Sequence, residues 1–197
     1  MSLTDAFTGP DDGARLADLH ARLGRRAEQE EILDVAYRMV ASPVGELLLA
    51  ATPRGLVRIA YQVQGFEQVL TDLATSVSPR ILRAPARLDG AARELEEYFA
   101  GRRRRFDLPL DLQLSEGFRR QVVQQLPQID YGATVTYTEI ARRAGSARAV
   151  RAAGSACARN PLPVVVPCHR VVRSDGALGG YVGGFAAKRT LLELEAA

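Results

Sequence analysis

The order of apolar and polar positions divides the chain into unlike parts. Residues 1 to about 33 open with Gly, Pro and paired Asp, then set Leu16, Leu19 and Leu23 on one helical face, which predicts an unstructured start and a short amphipathic helix for packing or interaction. From Val35 to Gln62, β-branched and aliphatic runs are broken at Ser42-Pro43-Val44-Gly45 and at Thr52-Pro53-Arg54-Gly55. This predicts three short antiparallel strands joined by turns. Residues 66–76 and 88–100 read as helices, the second with Leu95, Tyr98 and Phe99 on one face and Gly101 as its stop. Phe106, Leu108, Leu110 and Leu112 then alternate with polar residues and Pro109, as in an extended linker laid over apolar surface.

Beyond the linker the pattern becomes helical. Ser115 is placed to cap a helix carrying Phe118, Val122, Val123 and Leu126, with Pro127 following. Thr136 with Glu139 has capping-box spacing ahead of Ile140 and Ala141, and Gly145 supplies a stop. Ser146 can cap a further helix from about Ala147 to Ala158, so this pair has the grammar of a helix-turn-helix, a pattern that any two packed helices can also produce. The expected organisation is an N-terminal extension at 1–33, an α/β domain at 34–105, a linker at 106–114 and a second domain at 115–197.

Composition sharpens this picture in two places. With 47% hydrophobic and 25% charged residues, the chain has the make-up of a soluble globular protein, and no apolar run approaches the roughly 20 residues that span a bilayer. Lys188 is the only lysine, so nearly all positive charge is arginine. Between Thr136 and Asp175 seven arginines stand against two acids, which makes a polyanionic partner plausible there. Arg102 to Arg105 follows a helix end and is read as a solvated run complementing the helix dipole. The second helix of the pair is nearly smooth: Ala147, Ala149, Ala152, Ala153, Gly154, Ser155 and Ala156 surround Arg148 and Arg151. Such a helix suits either close packing inside the domain or close approach to a nucleic-acid backbone or minor groove.

Chemistry concentrates between Asn160 and Arg173. Cys168 follows three valines and Pro167, and His169 and Arg170 come directly after it. A thiol with a pKa near 8.5 needs a base or positive potential to become a nucleophile, and His169 is the obvious base, through a bridging water or a sharp turn. The C-terminal helix offers Glu193 and Glu195 as carboxylates to orient the imidazole. A buried structural thiol remains the competing reading. Cys157 and Cys168 are the only cysteines, a count that fits a reducing cytoplasm, and His20 has no ligand-spaced neighbours, so no metal site is expected.

Pro167-Cys168-His169-Arg170-Val171-Val172, preceded by Asn160-Pro161 and followed by Tyr181-Val182-Gly183-Gly184, resembles the active-site signature of the methylated-DNA:protein-cysteine methyltransferases, also called alkylguanine-DNA alkyltransferases. The resemblance runs closely from Phe118 to Glu195 and loosely through the preceding α/β unit. It implies an α+β protein with a ribonuclease-H-like N-terminal domain and a mainly helical, winged-helix-like C-terminal domain containing the helix-turn-helix. It also implies irreversible, single-turnover transfer of an alkyl group from O6-alkylguanine, with O4-alkylthymine a further candidate substrate, to Cys168. No cofactor or metal is implied. In this resemblance His169 matches the histidine acting through water, Glu195 its orienting carboxylate, and Asn160 the residue shaping the turn. Tyr137 matches the tyrosine that helps rotate the nucleotide and protonates the leaving guanine, and Arg151 the intercalating arginine. Arg148, Ala149, Ala152 and Gly154 complete the expected DNA surface, and Pro163, Tyr181, Val182 and Gly183 the base pocket. The implied partner is double-stranded DNA carrying O6-alkylguanine, bound by a cytoplasmic monomer, with clustering on DNA left open. Two alternatives remain: a lesion-binding module that recruits other factors without transferring the group, and a Cys-His hydrolase or acyltransferase.

Overall fold

A computed structural model describes residues 12–196. Helix α1 (Asp12–Gln29) is longer than the leucine spacing suggests, and the expected unstructured start at 1–11 lies outside the described residues. The helix packs through its small side: Ala27 is buried, and a Cβ on Gly24 would stand 3.3 Å from that of Ala84. Leu16, Leu19 and Leu23 are each about half exposed.

The three expected strands form as β1 (Val35–Val40), β2 (Leu47–Thr52) and β3 (Gly55–Tyr61), antiparallel in sequence. Helix α2 (Phe66–Ser76) follows, and then a strand that the hydrophobic pattern did not reveal, β4 (Ile81–Arg83), which pairs parallel to β1. Three residues are too few for alternation to register, and only their pairing defines them. Helix α3 (Asp89–Phe99) closes the unit, ended by Gly101 at φ +70°. The strand order is β3-β2-β1-β4, and every residue of β2 is buried because both sheet faces are covered. Val35, Leu48, Ala50 and Val57 pack on one face with Val69 and Leu73 of α2. The other face, with Leu47, Leu49, Ile59 and Tyr61, joins a core that runs into the C-terminal half.

The segment 106–114 does more than lie on apolar surface. Leu56 donates its N–H to Pro109 O at 2.8 Å and Asp111 donates its own to Leu56 O at 2.9 Å, so the segment pairs with the free edge of β3. The buried Asp111 carboxylate accepts from Thr52 Oγ1 at 2.6 Å and from Arg54 Nε at 3.1 Å. The Arg102–Arg105 run is partly structural rather than merely solvated, since Arg103 Nε pairs with Glu97 at 2.8 Å and Arg104 stacks over the Tyr131 ring.

The C-terminal half clusters α4 (Gly117–Gln125), α5 (Tyr137–Arg143) and α6 (Val150–Ala158). A two-stranded parallel sheet of β5 (Val135–Thr136) and β6 (Val171–Val172) lies beside them, and α7 (Gly184–Ala196) follows. Three capping expectations need correction. Ser115 is not the cap of α4: Glu116 takes that position without a side-chain bond, and the Ser115 hydroxyl is buried without a partner. Thr136 does cap α5, accepting from Glu139 N at 3.2 Å, but the Glu139 carboxylate turns to Arg142 and Arg143 instead of completing the box. Ser146 caps nothing by side chain. It accepts Ala149 N–H at its carbonyl in a turn, and α6 begins only at Val150. Arg148 therefore sits in the turn and Ala149 at the helix boundary. The α5–turn–α6 pair is consistent with a helix-turn-helix. Among the described residues no helix is long and apolar enough to cross a membrane, and no cluster of three metal-ligating side chains occurs.

The β3 edge makes a sharp prediction. Gly55 has φ +136°, and a Cβ there would fall 2.2 Å from Pro109 O. Gly55→Ala should lower unfolding free energy by about 2 kcal/mol or more, measured by urea denaturation, because both backbone strain and collision with the paired segment oppose it.

Candidate active site

The loop from Asn160 to Pro167 presents the cysteine. Asn160 is buried, donates Nδ2 to Val166 O at 2.7 Å and accepts Leu162 N–H at 3.0 Å, which ties both ends of the loop to one side chain. Inside it Val164 adopts φ +74°, a costly region for a β-branched residue that the surrounding bonds hold in place. Pro167 then makes a tight turn, with Cys168 N–H donating to Val166 O at 2.8 Å, and residues Cys168–Arg170 form a single 3₁₀ turn. The chain thus turns sharply at Cys168, as a relay between consecutive residues would require.

Cys168 and His169 are both buried, and Cys168 is a free thiol. Burial pushes the Cys168 thiol up to about 11, against partial relief from the Asn160 amide and the Lys188 charge. His169 Nε2 lies 2.8 Å from Glu195 Oε1, while His169 Nδ1 is buried with no protein partner. A carboxylate accepts, so Nε2 carries the proton and Nδ1 keeps the lone pair that a base requires. Burial lowers the His169 pKa below 6.5, and the imidazole is neutral at physiological pH.

Glu195 is the hub. Its Oε1 accepts from Tyr98 Oη at 2.6 Å, His169 Nε2 at 2.8 Å and Arg170 Nη2 at 2.9 Å. Its Oε2 accepts from Arg170 Nε at 2.8 Å and Gly132 N at 3.2 Å. Burial alone would raise its pKa, yet the bonds from His169, Arg170 and Tyr98 hold it well below the usual carboxylate range. Arg170 already balances this charge, so an imidazolium at His169 gains less from Glu195 than it would from an unpaired carboxylate.

Three residues here escaped the sequence reading. In the sequence Tyr98 reads only as part of a helix face, and Arg170 only as part of the motif. Lys188 has no structural role legible in the sequence; it is fully buried and its Nζ donates to Val171 O at 2.6 Å and to Leu178 O, fastening the loop beyond the cysteine. A lone lysine in an arginine-rich chain, on the same helical face as Leu191 and Glu195, was the available signal. Tyr137 sits between α6 and that loop: a Cβ on Gly154 would meet its ring at 3.9 Å, and one on Gly179 would fall 2.7 Å from its hydroxyl. Burial first, with nearby Cys157 and Cys168, pushes Tyr137 up to about 12, leaving a neutral phenol that can donate.

The smooth helix has one buried face and one open one, so close packing inside the domain accounts for only part of its small side chains. Ala153, Ala156 and Cys157 of α6 are buried in the core, while Arg148, Arg151 and Ala152 are exposed and Gly154 is half-buried. Pro163 is buried, and Tyr181, Val182 and Gly183 are half-buried along the loop before α7.

Residues 117–197 match the 6-O-methylguanine DNA methyltransferase DNA binding domain, and residues 35–112 match its ribonuclease-like domain. A methylated-DNA–protein-cysteine methyltransferase of Mycolicibacterium paratuberculosis is 42% identical over 161 residues, covering 82% of this chain and 92% of the relative. This chain belongs to the methylated-DNA–protein-cysteine methyltransferase family. A relative of the same name from Methanosarcina barkeri is 39% identical, over 81% of this chain and 96% of its own length. Among solved structures, the Mycobacterium tuberculosis O6-methylguanine methyltransferase superposes with a TM-score of 0.73 at 40% identity, covering 82% of this chain and 93% of that one. A structure of the M. tuberculosis protein in complex with DNA matches at 0.72 and 38% identity, over 82% of this chain and 92% of that one. Both family matches begin after α1, which lies outside them.

Two predictions come from this site. His169 and Glu195 are both depressed relative to their ordinary values of 6.5 and 4.5, so the folded state binds fewer protons than the unfolded one on acidification. Stability from these groups is present above pH 6.5 and is lost as pH falls, first through His169 and then through Glu195; melting temperature should therefore decline as pH is lowered below 6.5, and Glu195→Gln should flatten the later part of that decline. Tyr98→Phe removes one of the donors to Glu195 and should cost about 1–2 kcal/mol in chemical denaturation, with the other four bonds retained.

Proposed function

We propose that the protein repairs double-stranded DNA by direct transfer of a methyl or other alkyl group from O6 of guanine to Cys168 Sγ. The observation that supports this reading most is the buried thiol followed at once by a histidine whose Nε2 is engaged by Glu195 and whose Nδ1 is an open acceptor. The thiol proton passes through a bridging water to Nδ1. Sulfur forms the S–C bond as the C–O6 bond breaks, and the electron pair returns to the guanine, which takes a proton from the Tyr137 hydroxyl. The proton held by His169 restores Tyr137 through solvent, so the net change moves one proton from sulfur to guanine. A thioether offers no leaving group comparable to guanine, and the acceptor is consumed once.

A thiol this deeply buried cannot meet a base inside a duplex, so the nucleotide is extruded at a cost of about a few kcal/mol. The exposed α6 face with Arg148, Arg151 and Ala152 is smooth enough to press into a minor groove, and Arg151 fills the vacated stack. Neither arginine forms an ion pair among the described residues, whereas Arg142 and Arg143 are tied to Glu139. Tyr181, Val182, Gly183 and Pro163 then bound the base pocket, and Asn160 shapes the turn that leads from α6 to the cysteine. Family membership with the two matched domains favours transfer over lesion recognition alone.

Incubation with O6-methylguanine duplex should add one methyl to Cys168 by intact mass and peptide mapping, with a stoichiometry of one per protein. Cys168→Ser should bind the duplex and transfer nothing; continued demethylation by that variant overturns the assignment. Arg151→Ala should slow transfer from duplex by about tenfold or more while changing reaction with free O6-alkylguanine base little, since only the duplex needs extrusion.

A further inference from the structure

The edge strand of the N-terminal sheet reaches into the pocket half of the site. Ile59 N donates to Pro161 O at 2.8 Å, directly after Asn160, so β3 is bonded to the start of the cysteine loop. Two residues on, on the same face of the strand, Tyr61 is buried and its hydroxyl lies 2.9 Å from that of Tyr181. The two rings meet edge to face at 5.8 Å, and Tyr181 in turn stands edge to face with His169 at 6.3 Å. A Cβ on Gly183 would fall 2.7 Å from the Tyr61 ring, so the loop rests directly on this side chain.

We propose that Tyr61 is a positioning residue that fixes the Tyr181 ring and the height of the 181–183 loop, and thereby sets both the transfer rate and the size of alkyl group admitted. The inference rests on Tyr181 facing the extruded base. Two phenols sharing one hydrogen bond hold two protons, of which the bond uses one. The pair stays neutral, because burial raises both groups above their ordinary value of 10.0. The bond therefore acts as a fixed strut between the sheet and the pocket. Without it Tyr181 keeps its packing but can rotate, and a ring that moves away from the base leaves the reacting carbon misplaced relative to sulfur. The Tyr61 ring contributes separately, by volume: it blocks the loop from settling toward the sheet.

Single-turnover transfer from O6-methylguanine and O6-butylguanine duplexes tests this in Tyr61→Phe, Tyr61→Leu, Tyr181→Phe and the Tyr61→Phe/Tyr181→Phe double variant. Tyr61→Phe should lower the saturating rate about three- to tenfold with half-saturating duplex concentration unchanged, the range that one lost hydrogen bond supports. The double variant should be no slower than either single one, the mark of a direct coupling. Tyr61→Leu should additionally raise the butyl-to-methyl rate ratio by about threefold or more, because a smaller side chain lets the loop settle. A Tyr61→Phe rate and alkyl preference equal to wild type, or effects of the two phenylalanine changes that simply multiply, overturn the proposal, and a lowered melting temperature without a rate change does so as well. Tyr181→Ala separates the two readings. If it also transfers at the wild-type rate, the base-pocket assignment itself fails; if it is inactive while Tyr61→Phe is normal, only the role of Tyr61 fails.

Discussion

The buried carboxylate of Glu195 is the constraint on which the rest depends. It sits near the end of α7 and is met by five donors from three other parts of the chain: Tyr98 of α3, Gly132 before β5, and the adjacent His169 and Arg170. An ion so deeply placed is tolerable only when its lone pairs are filled, and here they are. Filling them has chemical results. One donor is His169 Nε2, which fixes the tautomer and leaves the Nδ1 lone pair free. Another is Arg170, which neutralises the charge and keeps the imidazole from being strongly favoured as a cation. The same carboxylate that orders the fold thereby selects the tautomer of His169, while burial keeps the ring neutral.

The N-terminal half takes part in this arrangement rather than standing beside it. Tyr98 reaches Glu195 from α3, Ile59 bonds the cysteine loop from β3, and Tyr61 bonds Tyr181. The largest apolar core runs through both halves without a break. The segment 106–114 pairs with the β3 edge, so the connection between the halves is itself part of the sheet's hydrogen bonding. The sheet edge is therefore tied to the cysteine loop and to the 181–183 loop through backbone and phenol bonds at once.

Helix α6 shows how one composition answers two demands. Small residues inward let α4 and α5 approach closely, and small residues outward, with Arg151 as the projecting side chain, leave a surface that another backbone can approach. Tyr137 stands where α6 and the Gly179 loop converge, and glycine at 154 and 179 makes room for its ring.

Much of this was legible in the residues alone. Local rules located β1 to β3, α2, α3, the cap at Thr136 and the stop at Gly101, because each depends on neighbours a few positions apart. The motif around Cys168 and its resemblance placed His169, Glu195 and Asn160 together, and the structure brings those side chains into one site. Other features were missed or misplaced. Strand β4 is three residues long and exists only through pairing with β1. The caps expected at Ser115 and Ser146 failed because each helix begins further along the chain, α4 after Glu116 and α6 after a turn that Ser146 closes through its backbone carbonyl. Tyr98 lies 97 residues from Glu195 and Tyr61 lies 120 from Tyr181, and no spacing rule spans such separations. The sequence by itself determined which groups are the candidates for the chemistry; only the tertiary structure decided which of their atoms are engaged, because a buried hydrogen bond between distant residues is chosen by packing and leaves no periodic trace in the chain.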